Sequence, residues 1–322
     1  QKERTKVGLW NSLCGVIGIA LGTLIPPLLI EDGVPSSYFL MAIVITIMTF
    51  IVALASLPGV KEDEEIIARE LKILEEQENK PDEEKVGFID VLKIALKDKN
   101  FLAYVITYFG HQVMTVFMLS SLTYWRKYII GTTVEDFETI ISAIFLVSVI
   151  IALPIWSKVG DKVGNQKAFQ YGTIITTFLF IPLLFVSDII GTSIAVGLVG
   201  MGIGAIWVLM YPCFSDVVDD IVIKTGERRE GILTGIRTFF GRAPIILQGV
   251  LFWVVHELTG YLPGVPAGPA AQPVTAQFGI RFLMVVVPMI FYFIGFIMMT
   301  KFYELDMKCV EENKELLQRK IL

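Results

Sequence analysis

The sequence predicts an all-α integral membrane protein with eight spanning helices. Three observations carry that expectation. Hydrophobic residues make up 54% of the 322 positions and charged residues only 18%, with a mean hydropathy of +0.66. That leaves too little polar surface for a soluble chain of this length. The apolar residues also gather into eight runs, each near the ~20 residues that cross a hydrocarbon core about 30 Å thick. Finally, the basic residues sort to one side of those runs. Barrel strands would instead alternate apolar and polar residues over about ten positions, and no such pattern is present.

The runs are Gly8–Ile30, Tyr38–Leu57, Phe101–Leu122, Ile140–Trp156, Tyr171–Val186, Ile190–Phe214, Ile232–Val255 and Gly279–Phe302. Of 27 Lys and Arg residues, 22 fall in QKERTK, Lys61 to Lys99, Lys158 to Lys167, Lys224 to Arg229 and the tail from Lys301. The opposite side holds Arg126, Lys127 and Arg281. The positive-inside rule then places both chain ends and the long polar segment in the cytoplasm of a cell-membrane protein. The opening QKERTK reads as a cytoplasmic loop. Cys14, Cys213 and Cys309 lie far apart without metal-ligand spacing and read as reduced thiols. A net charge of −5 comes largely from the acidic segment after residue 60, which gives no footing for nucleic acid.

In the first run Gly15, Gly18 and Gly22 form a small-residue face for helix contact. Pro26 and Pro27 should bend or end it. Residues 61–90 carry 12 acidic and 5 basic residues and read as a linker, with Ile67, Leu71 and Leu74 at helical spacing. Phe88, Val91, Leu92 and Leu96 then mark an amphipathic helix lying in the interface. The expected organisation is the last two helices of one bundle (1–60), a cytoplasmic linker (61–100), a six-helix bundle (101–303) and a cytoplasmic tail (304–322).

Four features have chemical content. In the third run Tyr104, Tyr108, His111, Gln112 and Thr115 share one helical face. A polar stripe at bilayer depth faces a bundle interior, either as hydrogen bonds between helices or as a lining for substrate or protons. Trp207 and Tyr211, four apart, offer an aromatic surface or ordinary packing. Arg242 lies about 15 Å into the seventh run, near the midplane, where it either locks two helices as an ion pair or lines a polar cavity. Arg237 is shallower and can snorkel to the interface. The fourth feature is the charged loop VVDDIVIKTGERREG between two apolar runs. There Asp216, Asp219, Lys224, Arg228, Arg229 and Glu230 are candidates for a cytoplasmic gate, joined by Asp161 and Lys162 from the turn GDKVGNQK.

These motifs together resemble the glycoside–pentoside–hexuronide:cation symporter family, the melibiose-permease-like branch of the major facilitator superfamily. The resemblance rests on Pro212, Asp216 and Asp219 followed by Lys224, Thr225, Gly226, Arg228, Arg229, Glu230 and Gly231. ERTK ahead of a glycine-rich run ending in two prolines is similar to the family's entry into helix 5. GDKVGNQK resembles the superfamily signature between helices 8 and 9, with Ser157 replacing its first glycine and Asn165 its first basic residue after Gly164. The resemblance implies a major facilitator superfamily-like fold of which helices 5 to 12 are seen. It further implies symport of a sugar, glycoside or related small solute with Na+ or H+, by alternating access between two bundles. In that picture Tyr104, Tyr108, His111, Gln112, Trp207, Tyr211 and Arg242 line the cavity, and the gate residues pair in the outward-facing state. A coupling cation is expected, with no other cofactor, no metal site and no obligate protein partner. The acidic residues by which sugar symporters of the family hold that cation lie in helices 1 to 4.

Two other readings remain open. One is a lipid or lysolipid carrier on the same fold. The other is a non-transporting membrane protein or fragment. An enzyme is not expected: His111 and His256 lack HExxH spacing, and there is no GxSxG.

Overall fold

The structure, a computed structural model, describes residues 2–31, 34–61, 64, 67–68, 71–72, 88–134, 136–226 and 230–321. The helices are α1 (Lys2–Leu29), α2 (Pro35–Val60), α3 (Phe88–Lys97), α4 (Lys99–Tyr124), α5 (Phe137–Val163), α6 (Asn165–Leu179), α7 (Ile189–Thr225), α8 (Glu230–Thr259), α9 (Val274–Arg281), α10 (Val287–Lys301) and α11 (Met307–Ile321). Two π-helical segments, Trp125–Ile130 and Phe282–Val286, continue α4 and join α9 to α10. Eight stretches are long and apolar enough to cross a membrane, as the sequence predicts. Most of the acidic segment lies outside the described residues; its end is helical, as the amphipathic pattern of Phe88–Leu96 requires.

The chain divides into two compact units, Gln1–Gly18 with Leu92–Leu322, and Ile19–Val91. The smaller holds the second half of α1, α2 and the first turn of α3. Pro26 and Pro27 lie in the last turn of α1, so they end the helix more than they bend it. Ser37 then ties the turn into α2, accepting from Glu31 N at 3.0 Å and donating to Val34 O at 2.7 Å.

In the larger unit α7 is the central helix, with α5 and α6 along its sides. Helix α10 packs on α4 and α6, and α8 packs on α4. The close approach at α7 follows from its glycines. A Cβ at Gly200 would stand 2.8 Å from Phe145 O, and one at Gly204 2.6 Å from Ala152 Cβ, both on α5. A Cβ at Gly202, on the opposite side of the helix, would stand 2.5 Å from Thr176 Oγ1 on α6. By contrast, Cβ atoms at Gly15, Gly18 and Gly22 would meet nothing within 4 Å among the described residues. Gly8 is the α1 glycine in close contact: its Cβ would lie 2.5 Å from Val208 O on α7.

Between α4, α8 and the last span, Val113, Phe117, Phe252, Leu283 and Val287 form a buried cluster. Exposed Phe239, Ile246, Val250 and Trp253 make an apolar stripe on α8, suited to lipid.

The charged stretch after the sixth run departs from its reading as a loop. Helix α7 continues through Asp216–Lys224 to Thr225, because Asp220 and Lys224 pair at i,i+4 and Gly226, at φ 73°, caps the end. At the other end of the bundle Arg281 donates to the carbonyls of Leu183, Leu184 and Val186 at 3.3, 3.0 and 2.8 Å, with its Cζ 5.0 Å from the centre of the Trp125 ring. It therefore satisfies the otherwise orphaned carbonyls past α6. Arg281→Ala is expected to cost about 1–3 kcal/mol, measured as a lower melting temperature of the purified protein. An unchanged melt would mean that those carbonyls find other donors.

Candidate functional site

The polar stripe of α4 faces the interior of the larger unit. Tyr104 and His111 are buried; Tyr108, Gln112 and Thr115 are half-buried. His111 joins three helices. Trp207 on α7 donates its indole N–H to Nε2 at 3.0 Å, and Nδ1 lies 2.8 Å from Tyr292 Oη on α10. An indole nitrogen can only donate, so Nε2 accepts and the ring proton sits on Nδ1, facing Tyr292. Trp207 is held in turn by Ser12 of α1, whose hydroxyl donates to its carbonyl at 2.7 Å. Gln112 donates to Gly241 O on α8 at 3.4 Å, and Thr115 bonds back to His111 O at 3.1 Å. The stripe thus makes hydrogen bonds between helices, the first of the two readings left open by the sequence.

The two arginines of α8 take places different from those their depths suggest. Arg242 is exposed. Arg237 is buried, its Cζ 4.5 Å from the Tyr108 ring centre, 4.9 Å from Phe214, 5.0 Å from Tyr211 and 5.9 Å from Tyr104. Trp207 and Tyr211 therefore serve different partners, His111 and Arg237. Tyr104 and Tyr108 stack in parallel at 6.3 Å, and Tyr104 Oη is buried without a hydrogen-bond partner among the described residues.

At the end of the bundle where α1 begins, ion pairs gather. Arg4 donates to Asp216 at 2.6 Å and also pairs with Asp219. Lys224 bridges Asp98 at 2.5 Å and Asp220 at 2.6 Å. Asn100 donates to Asp220 at 3.0 Å and accepts from Glu304 N at 2.7 Å, tying in the tail. Burial pushes the Tyr303 phenol well above its usual range, so it stays a donor to Cys213 O at 3.1 Å. Thr5 donates to Asn165 at 2.9 Å. Asp161 has a buried Oδ1 with no hydrogen-bond partner among the described residues, while Lys162 is exposed. Glu230 opens α8; Arg228 and Arg229 lie outside the described residues.

Asp216, Asp219 and Lys224 thus enter two separate networks, each completed by residues the pattern did not single out. Arg4 was visible only as part of ERTK, and Asp98 was not singled out at all; it caps α4 by accepting from Phe101 N at 2.9 Å. Tyr292 gave no signal, being one aromatic in an apolar run.

Spanning helices with a hydrogen-bonded polar interior and ion pairs at one end define a multi-pass membrane protein with buried polar contacts between its helices. The chain matches the family model for MFS/sugar transport proteins over residues 1–307 and belongs to that family. Among relatives, it is 22% identical over 292 residues to the human sodium-dependent lysophosphatidylcholine symporter 1, covering 88% of this chain and 49% of that protein. The chicken protein of that name is 23% identical over 239 residues, 73% of this chain and 44% of its own length. An uncharacterized symporter of Synechocystis sp. is 22% identical over 252 residues, 76% and 46% of the two chains. The chain spans about half the length of these relatives.

Proposed function

We propose that the whole protein is a secondary active symporter working by alternating access. Its ends and the Arg4 network would face the cytoplasm, and Na+ or H+ would drive uptake of a sugar, glycoside or related small organic solute. The domain organisation is that of the melibiose-permease-like branch, with residues 1–60 closing one bundle, 61–100 linking and 101–303 forming the other. The observation that carries the reading is Arg4. It ties the start of α1 to two carboxylates on α7, with side-chain exposures of 2% for Asp216 and 12% for Asp219. Removing one partner of so buried an arrangement strands the others, so it suits a contact that is either fully made or fully broken. With Lys224 beside it, the arrangement forms a cytoplasmic gate in its closed state. Movement of α1 from α7 would break Arg4 from both aspartates and Ser12 from Trp207, and the interior would open to that side.

A second reading, transport of a lysolipid, is supported by the relatives named as lysophosphatidylcholine symporters. One experiment tests both: uptake into vesicles by the full-length protein, with sugars and lysolipids as competing solutes, under an imposed sodium or proton gradient. Gradient-driven uptake is expected, and the competitor that suppresses it identifies the class. Uptake indifferent to both gradients would point to a uniporter, and none at all to a non-transporting protein.

A further inference from the structure

The charge on Arg237 has no counter-charge among the described residues. Among the described residues no carboxylate pairs with it and its Nε is buried without a hydrogen-bond partner. The residue is 8% exposed. Four rings surround it, and their π faces offset the positive charge in part. They do not replace hydrogen bonds, because guanidinium donors point outward in the plane of the group and need acceptor atoms there. A buried arginine left this way is costly unless an acceptor arrives. The cage has a closed and an open side. Tyr104 is fully buried and Phe214 is 9% exposed, whereas Tyr211 is 44% exposed. The second orphan, Tyr104 Oη, sits in the same cage as a further unspent hydrogen-bonding group.

We propose that Arg237 anchors a monoanionic oxygen group of the solute, a carboxylate or a phosphodiester, entering past Tyr211. The planar fork of arginine matches two oxygens of either group. The cage holds one cation, which balances one negative charge and not the two of a phosphate monoester. The inference deepens the symporter reading and rests on it for the word solute; the binding itself is independent of transport. A neutral glycoside would bring no counter-charge to the guanidinium, which has none among the described residues, so the anionic classes are preferred over it.

The test is ligand-induced thermal stabilisation of the detergent-solubilised full-length protein, wild type against Arg237→Gln and Arg237→Lys. The probes are methyl β-glucuronide as a carboxylate, glycerophosphocholine as a free phosphodiester, lysophosphatidylcholine as the same group on a lipid, and methyl β-glucoside as the neutral control. At least one of the three anionic probes, so named for the carboxylate or phosphodiester each bears, is expected to stabilise the wild type, and the glucoside is not. Arg237→Gln should weaken that binding by about 10- to 100-fold. Arg237→Lys, which keeps charge and cage but loses the fork, should fall between. Which anionic probe acts tells carboxylate from phosphodiester, and lipid from free headgroup. The proposal is overturned if the glucoside stabilises as well as the glucuronide, if no anionic probe acts, or if Arg237→Gln binds as the wild type does. Should Gln alone unfold the protein, the Lys variant decides: undiminished affinity there overturns the fork. Failure of the symporter reading looks different, namely a probe that binds through Arg237 but is not taken up by vesicles under either gradient.

Discussion

Replacing Asp216 and Asp219 together by Asn is expected to open the charged end of the bundle. Both carboxylates are nearly buried and share one arginine that is itself only 25% exposed. Neutralised, they leave Arg4 charged and poorly solvated against α7, a loss of about 3–5 kcal/mol that moving the start of α1 into water relieves. Ser12 reports the movement because it is buried against Trp207 on the same seam. In a background with Cys14, Cys213 and Cys309 replaced by Ser, a Ser12→Cys thiol should react with a maleimide at least about tenfold faster when the aspartates are Asn. Equal rates would show that α1 is held by close packing at Gly8, with the ion pairs incidental.

The second large effect lies in the α5–α7–α6 sandwich. Gly204→Leu puts a side chain where even a Cβ stands 2.6 Å from Ala152, while Gly202 on the other side blocks retreat against Thr176. Overpacking there should cost about 1–3 kcal/mol or more and lower the melting temperature by about 5–10 °C. Gly15→Leu, with nothing within 4 Å of its Cβ, is the matched control and should melt like the wild type. Equal melting of the two variants would mean the helices separate easily and the glycines are not what sets their spacing.

That contrast marks where the sequence was and was not legible. Spanning runs depend on summed hydropathy, a local quantity, so all eight were readable. Which glycines meet a neighbour depends on the partner helix, so the run at Gly200–Gly204 and the run at Gly15–Gly22 looked alike beforehand. The α4 stripe was readable for the same local reason, whereas Tyr292, its partner 181 positions away, was not. Rise per residue gives a position along α8 but not an azimuth around it: that is why Arg237, and not Arg242, turns into the ring of aromatics. Asp216 and Asp219 stood out as charges among apolar residues, but their partner Arg4 stood among other charges and was hidden by them.

One feature of the last span explains how Tyr292 reaches His111 at all. Buried Ile280, Met284, Pro288 and Tyr292 recur every fourth residue. In an unbroken α-helix each such step creeps about 40° round the axis, so three would carry Tyr292 roughly 120° off the face of Ile280. The π-helical turn at Phe282–Val286 holds one residue more than an α-turn and winds back about 100°, nearly the whole drift. It acts as a phase corrector, keeping one seam straight over a span whose spacing would otherwise spiral away. Losing a single residue from that turn would leave the chain almost as apolar as before and point the phenol toward a different neighbour.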